Sequence, residues 1–340
     1  MADDVPDTSH PKDVPMTLTD PLFARTRIST PQTDNAPVIV VGLPRSGSSF
    51  LSHVLSQIGD WYVFDDLYIQ DKAYEIGLSD HQTPSAEQLE TLLHFMGWQI
   101  RARLRHTTYA IPKMREDEVD AMNDALRACF SGQDYTWLEL QKEWMMRLAA
   151  RSGSAQWGYK LPKAFRNLPA LRAAYPDARI VYLLRQPHEV LRSYKFIPET
   201  SEDGHPGRYH PLFYALYWRV AAKSYRTEAA KGAGDVTLVR FHDLTRDSQE
   251  TAKGLAAFLG EDLDSEITKP ERPNSSFSDQ GPKQDLTGLE YWLINRLCNA
   301  QIDALGFERR RKPVRIGDFV DILRVTGRFI MFKIRNRKKI

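Results

Sequence analysis

Short apolar runs bounded by glycine, proline or charge alternate with amphipathic stretches along most of the chain. Residues 38–41, 61–64, 180–184 and 236–241 read as buried strands, with 157–160 leading to a lysine at a further strand end. After the first run, Leu51, Val54, Leu55 and Ile58 fall at i, i+3, i+4 and i+7, the spacing of a helix with one buried face. Residues 85–151 are mainly helical in pattern: Leu89, Leu92, Leu93 and Met96 form one stripe, and Trp137, Leu140, Trp144 and Leu148 another. Pro187 suits the first position of a helix through Val190, Leu191 and Ser193, and Asp247 with Glu250 makes a capping-box-like start to a later one. At 340 residues and 42% hydrophobic content, this pattern fits one large α/β domain with inserted helices. Residues 1–36, rich in Pro, Asp and Thr with little periodicity, read as a mobile arm.

Two strand-to-helix turns carry the chemistry. Residues 41–50, Val-Gly-Leu-Pro-Arg-Ser-Gly-Ser-Ser-Phe, have the glycine spacing of a phosphate-binding loop, but Ser48 stands where an ATP- or GTP-binding loop has its lysine. An anion there meets backbone N–H groups at a helix N-terminus and the hydroxyls of Ser46, Ser48 and Ser49. At the second turn Arg185 ends the 180–184 run and Ser193 follows eight residues later. A guanidinium grips a phosphate through paired hydrogen bonds, and a hydroxyl further along the helix completes the cage. NTPases often place a magnesium-binding Asp after such a strand, and Arg185 holds that place here.

The first loop resembles the 5'-phosphosulfate loop of sulfotransferases that use 3'-phosphoadenosine 5'-phosphosulfate (PAPS), in the P-R-S-G-[ST]-[ST] form of the tyrosylprotein and Golgi-type carbohydrate enzymes. The resemblance extends over roughly residues 37 to 280, mainly at its motifs. It implies a doubly wound, P-loop-like α/β fold with a central parallel sheet of about five strands flanked by helices; the helical insertion at 85–151, which directly follows the candidate base in sequence, is the candidate acceptor-side cap. It implies that Arg45, Ser46, Gly47, Ser48, Ser49 and Phe50 bind the phosphosulfate, and Arg185 and Ser193 the 3'-phosphate. Trp157-Gly158-Tyr159-Lys160-Leu161-Pro162 resembles the segment whose lysine neutralises the bridging oxygen as the bond to sulfur breaks, which assigns Lys160 to the leaving group. Asp66, with Asp65 one residue off, falls where the tyrosylprotein enzymes place a catalytic glutamate; Asp is one methylene shorter. The histidine of cytosolic sulfotransferases has no counterpart, since no His occurs between His106 and His188. Arg240-Phe241-His242-Asp243-Leu244 is similar to a family segment whose aromatic lies near adenine, core packing of Phe241 being the other reading. The proline-broken stretch 269–278 resembles the loop that closes over the cofactor, bringing Ser275 or Ser276 to the phosphosulfate. The expected products are 3',5'-ADP and a sulfated acceptor, with no metal required. A P-loop kinase or NTPase, and a non-catalytic membrane-associated nucleotide-binding protein, are the alternatives.

The charge distribution changes the acceptor question. From Arg309 to Ile340 there are twelve Lys or Arg against Asp318 and Asp321, a net of +10, which leaves −8 on the rest of a chain whose total is +2. Ile316, Phe319, Val320 and Leu323 follow helical spacing within this tail, and Phe329, Ile330, Phe332 and Ile334 are interspersed with basic residues. Such a segment either lies on an anionic membrane or packs back on the domain with a solvated basic end. Small-molecule, lipid, glycan and protein acceptors all stay open, and no nucleic acid is expected because no binding module accompanies the charge. Cys129 and Cys298 make no disulfide framework and suit a reducing compartment. With no signal-like stretch and no run approaching ~20 apolar residues, the expectation is a cytoplasmic protein, peripheral on the inner face of a membrane if the tail docks; the Golgi-type enzymes are membrane-anchored instead. His205 and His210 are expected to be solvated or acceptor-facing, and Phe213, Tyr214, Tyr217 and Trp218 to pack or to line the acceptor cleft.

Overall fold

The computed structural model describes residues 36–105, 114–197, 205–263, 265–268 and 284–336. Five strands form one parallel sheet: β1 (Val38–Gly42), β2 (Trp61–Phe64), β3 (Gln156–Lys160), β4 (Arg179–Leu184) and β5 (Val236–Arg240), in the order β2-β3-β1-β4-β5. Strands buried on both faces need apolar side chains at every position, as the Val-Ile-Val-Val run of β1 supplies. Ile39 and Val41 join Phe64, Tyr159 and Tyr182 in the larger core, while Val38 and Val40 join Val63, Val181 and Leu183 in the smaller. This alternation is the period of two that separates the faces of a strand.

Helix α1 (Ser48–Leu55) follows β1 and covers the smaller core. Its buried face is the one the spacing predicts, but the helix stops at Leu55, and Ile58 is buried in the turn beyond it. After β2 come α2 (Ile69–Glu75) and three longer helices, α3 (Ala86–Leu104), α4 (Glu116–Phe130) and α5 (Trp137–Arg151). Both expected apolar stripes lie in the larger core, where Trp144 meets Phe64 at 5.2 Å between ring centroids. Helices α6 (Leu168–Ala174), α7 (Pro187–Lys195) and α8 (Pro211–Ala229) complete that face. The last strand ends one residue early: Phe241 opens a short helix, α9 (Phe241–Arg246), and Asp247 caps the next, α10 (Ser248–Leu259), by accepting from the Glu250 amide at 3.0 Å. Phe241 therefore leaves the sheet and turns toward the loop after β1.

Helix α11 (Gly288–Ala304) lies along α8, and α12 (Ile316–Arg335) is the helical tail. The tail is not detached from the domain. Asp318 accepts from the amides of Leu289 and Arg315, His205 meets Phe332 at 4.6 Å, and His210 meets Phe329 at 5.2 Å while bonding to Thr326. His205 is exposed, as expected of a solvated side chain, and His210 is half-buried; each also meets α12 through an aromatic contact. The expected arm, apart from residue 36, lies outside the described residues.

His188 stacks on Tyr291 of α11 at 4.8 Å, and the neighbouring Gln186 donates to the Glu308 carbonyl. Burial, and then the Arg310 guanidinium, push the His188 imidazole down to about 4. The unfolded chain takes up this proton near pH ~6.5, and the folded protein only near its depressed value, so stability falls as pH drops through that window. His188→Phe, which keeps the ring stack, should flatten this part of the pH dependence in urea unfolding; an unchanged slope would show that other groups carry it.

Candidate functional site

The chain leaving β1 leads to β2 on one side of the sheet, and the chain leaving β4 leads to β5 on the other. The strand ends of β1 and β4 therefore border the crevice where open α/β sheets bind ligands. Gly42 is needed here because a Cβ would collide with the Leu183 carbonyl of β4. The loop then turns tightly, the Ser46 amide donating to the Leu43 carbonyl at 3.2 Å, with Arg45 and Gly47 at φ 69° and 88°. Gly47 caps α1 without a side-chain hydrogen bond, and the first turn has no acidic residue. Amides at such an end have no partner within the helix, and the helix dipole adds positive potential. The Ser46 hydroxyl is buried without a hydrogen-bond partner among the described residues, an unused donor at the same place. A Cβ at Gly47 would strike the Phe241 ring, so the aromatic covers the loop closely. Phe50 packs against the smaller core.

The second turn closes on the first. Arg45 Nε donates to Ser193 Oγ at 3.3 Å, joining the two predicted anion sites. The Arg185 guanidinium lies over the Phe241 ring, 4.5 Å from its centroid, and its Nε donates to Glu189 Oε2 at 2.9 Å. Glu189 also meets Arg310 at 3.0 Å. Burial alone would raise the Glu189 carboxyl, but Arg185 and Arg310 hold it below the usual carboxylate range. The Trp218 indole donates to the Arg185 carbonyl at 2.9 Å, fixing the strand end from α8. Trp218 thus supports the site from behind, while Phe213 meets Phe329 of α12.

Lys160, at the end of β3, is buried with Nζ 3.1 Å from Ser49 Oγ and 2.8 Å from both Asp65 Oδ1 and Asp66 Oδ1. Burial pulls its pKa down, but the two carboxylates outweigh that and leave it above the usual lysine value. The ammonium is charged, desolvated and in contact with the anion loop. Asp65 is buried; the Asp66 carboxylate is 22% exposed and opens outward. Asp66 has φ 56°, a left-handed conformation that Asp tolerates better than most residues. Burial, with the Asp66 charge second, raises the phenol of the nearby Tyr68.

Arg103 holds this turn and was not legible as a site residue. From α3 it donates Nε to the Asp65 carbonyl at 2.9 Å and Nη2 to the Asp66 carbonyl at 2.5 Å, with its guanidinium 4.7 Å from the Phe64 ring centroid. Gln99 adds a bond to the Asp66 carbonyl at 3.2 Å. The available signal is positional: Arg103 continues the buried stripe of Leu89, Leu93, Met96 and Ile100, where a charge is unexpected. Glu189 carries a comparable signal, an acid in the first turn of α7 four residues after Arg185. Ser275 and Ser276 lie outside the described residues. Among the described residues no group of three or more His, Cys, Asp or Glu is arranged to hold a metal, and no helix is long and apolar enough to cross a membrane.

The profile described as "Sulfotransferase family" matches residues 37–265, about two thirds of the chain. Among solved structures, the sulfotransferase domain of the Synechococcus PCC 7002 olefin synthase superposes with a TM-score of 0.49 at 16% identity, over 82% of this chain and 98% of that one. The sulfotransferase domain from the curacin biosynthetic pathway gives 0.48 at 15% identity, over 81% and 99%. A sulfotransferase from Mycobacterium avium gives 0.43 at 17% identity, over 81% and 78%. No curated protein matches the chain.

Removing the Arg103 guanidinium takes a charged donor from the Asp65 and Asp66 carbonyls, of which the second keeps Gln99. Arg103→Met should lower unfolding free energy by about 2–4 kcal/mol, each lost bond to a charged group being worth ~1.5–3 kcal/mol. Arg103→Lys should recover only part of this, because an ammonium lacks the planar fork. Urea denaturation of the three proteins measures it, and a neutral Arg103→Met would contradict the anchoring role.

Proposed function

The chain belongs to the sulfotransferase family, and we propose that it transfers a sulfuryl group from PAPS to a hydroxyl or amine acceptor, with lipid or membrane-proximal acceptors favoured by its basic tail. The observation that carries this reading is Lys160. One buried ammonium touches the anion loop through Ser49 and both candidate bases, so leaving-group and acceptor chemistry converge on one atom.

The fit to a 3'-phosphorylated nucleotide rests on the paired turns. The uncapped N-terminus of α1 and the unpartnered Ser46 hydroxyl suit the 5'-phosphosulfate. Arg185 and Ser193 suit the 3'-phosphate, which would take over the place Glu189 has on Arg185, and Arg45 of the phosphosulfate loop bonds to Ser193 beside it. Phe241 offers a ring face beside both and lacks the phenol that would add a hydrogen bond. Ser48, in place of the lysine of ATP-binding loops, argues against a kinase or NTPase.

PAPS supplies the sulfuryl group, whose bond to the bridging phosphate oxygen breaks as a bond from sulfur to the acceptor oxygen or nitrogen forms. Lys160 places its positive charge beside the oxygen that gains negative charge, in a site where low dielectric strengthens the effect. Asp66 accepts the acceptor's proton; Asp65 is too enclosed to meet an acceptor directly and serves to hold Lys160 charged. As Lys160 turns its charge toward the leaving oxygen, the Asp66 carboxylate is released from that ion pair to meet the acceptor. Arg103 and Gln99 hold the backbone of the turn that carries this carboxylate.

The test supplies radiolabelled PAPS and a lipid-containing cell extract as acceptor source. The wild-type protein should label a product, and Lys160→Ala or Asp66→Asn should cut labelling by about a hundredfold or more. Both variants should bind 3',5'-ADP within a few-fold of wild type. Full activity in Asp66→Asn with loss in Asp65→Asn would move the base to Asp65, and full activity in all of them would overturn these assignments.

A further inference from the structure

The tail helix resolves into three sectors. Successive residues turn by about 100°, which groups Asp318, Val325, Phe329 and Phe332 on the sector packed against the domain. Ile316, Phe319, Leu323, Ile330 and Ile334 fall on an adjoining sector, and all five are more than half exposed. Arg324, Arg328 and Arg335 fall on the remaining sector, also facing solvent. The apolar sector extends for roughly 27 Å at 1.5 Å per residue. Packing on the domain therefore does not account for the apolar residues of α12; its core contacts use a different face.

The patch continues beyond this helix. His210 bonds to Thr326, and Phe213 lies 6.2 Å from Phe329 between ring centroids, along the edge of the packed sector that borders the apolar one. Phe213, Leu212 and Leu216 of α8 are themselves exposed. A contiguous apolar surface rimmed by charge marks an interaction site. We propose that the exposed face of α12 seats the enzyme on an anionic lipid bilayer, with the apolar sector in the headgroup region and the arginines beside it on lipid phosphates. This deepens the membrane-proximal acceptor reading above by naming the surface that would bring the enzyme to such an acceptor.

Charge and shape select this occupant. The segment from Arg309 onward carries +10 against −8 on the rest of the chain, so the excess positive charge lies in the same segment as the exposed apolar sector. A second copy docking through this face would oppose two strongly basic tails, at a repulsive cost that an anionic surface turns into attraction. The apolar residues stand on a convex helix along its full length, the form of a helix lying in a membrane interface. The tail also connects with the nucleotide site: Arg310, in the segment leading to α12, pairs with Glu189, and Glu189 with Arg185. A ring contact, Tyr194 on Tyr214 at 3.9 Å, likewise links the helix bearing Ser193 to α8 beside the patch.

The experiment sediments the full chain with vesicles of phosphatidylcholine alone or mixed with phosphatidylglycerol. The wild-type protein should pellet with the mixed vesicles and stay in solution with the neutral ones. Leu323→Glu with Ile330→Glu alters only exposed positions and should reduce recruitment a hundredfold or more, about what removing two inserted side chains implies, with an unchanged melting temperature. Replacing Arg324, Arg328 and Arg335 by Ala should weaken it about fivefold per residue at low salt. Failure of the wild type to pellet, or undiminished pelleting of the double glutamate variant, overturns the proposal. So does a wild-type dimer that ignores vesicles and becomes a monomer in that variant, which would assign the face to a second copy. Titration with 3',5'-ADP keeps the two readings apart: vesicle binding without nucleotide binding would sink the transfer reading and leave the docking surface standing, and the reverse result would do the opposite.

Discussion

A buried ammonium between two carboxylates is the constraint around which this site is arranged. Lys160 sits at a strand end with almost no access to water, where a lone charge would be expelled or neutralised. Asp65 and Asp66 keep it charged, and Ser49 ties it to the N-terminus of α1. The arrangement ties three parts of the chain together: the loop after β1, the turn after β2 and the end of β3. Their relative positions follow from the parallel register of β2 and β1 on either side of β3, which brings three strand ends to one edge of the sheet. The same requirement explains the helical segment after β2. An Asp65-Asp66 turn with a left-handed residue needs its carbonyls held, and α3 supplies Arg103 and Gln99 to do so.

A second electrostatic device faces it across the crevice. Glu189 holds Arg185 and Arg310 together, so a carboxylate already stands against the guanidinium that the nucleotide reading gives to a phosphate. A ligand anion and Glu189 then compete for one cation, and the outcome bears on how the tail segment sits. Both devices store charge in partly dry surroundings, where rearrangement of one partner has consequences for the others.

The sheet was legible because its strands are buried on both faces and leave uninterrupted apolar runs, and the strand-to-helix turns after β1 and β4 were legible because glycine, proline and the amphipathic spacing that follows mark them. Phe241 shows the limit of such reading. Its side chain extends the apolar run of β5, but the backbone has already turned into α9, and the residue serves the loop and not the strand. Arg103 and Gln99 were invisible for a different reason: they act on backbone carbonyls more than thirty residues away, and only the packing of α3 brings them there. The tail was ambiguous because a single helix can pack one apolar sector on the domain and leave another exposed. Periodicity alone cannot say which apolar sector a domain will use.

The claim on which the functional account rests is that two anion sites, built from the ends of β1 and β4, read one nucleotide at both phosphates. Calorimetry comparing 3',5'-ADP with 5'-AMP measures this directly. The expected result is a preference for 3',5'-ADP that drops by several kcal/mol in Arg185→Ala, given ~1.5–3 kcal/mol for each hydrogen bond to a charged group. Equal affinity for the two nucleotides, or a preference that Arg185→Ala leaves intact, would contradict it.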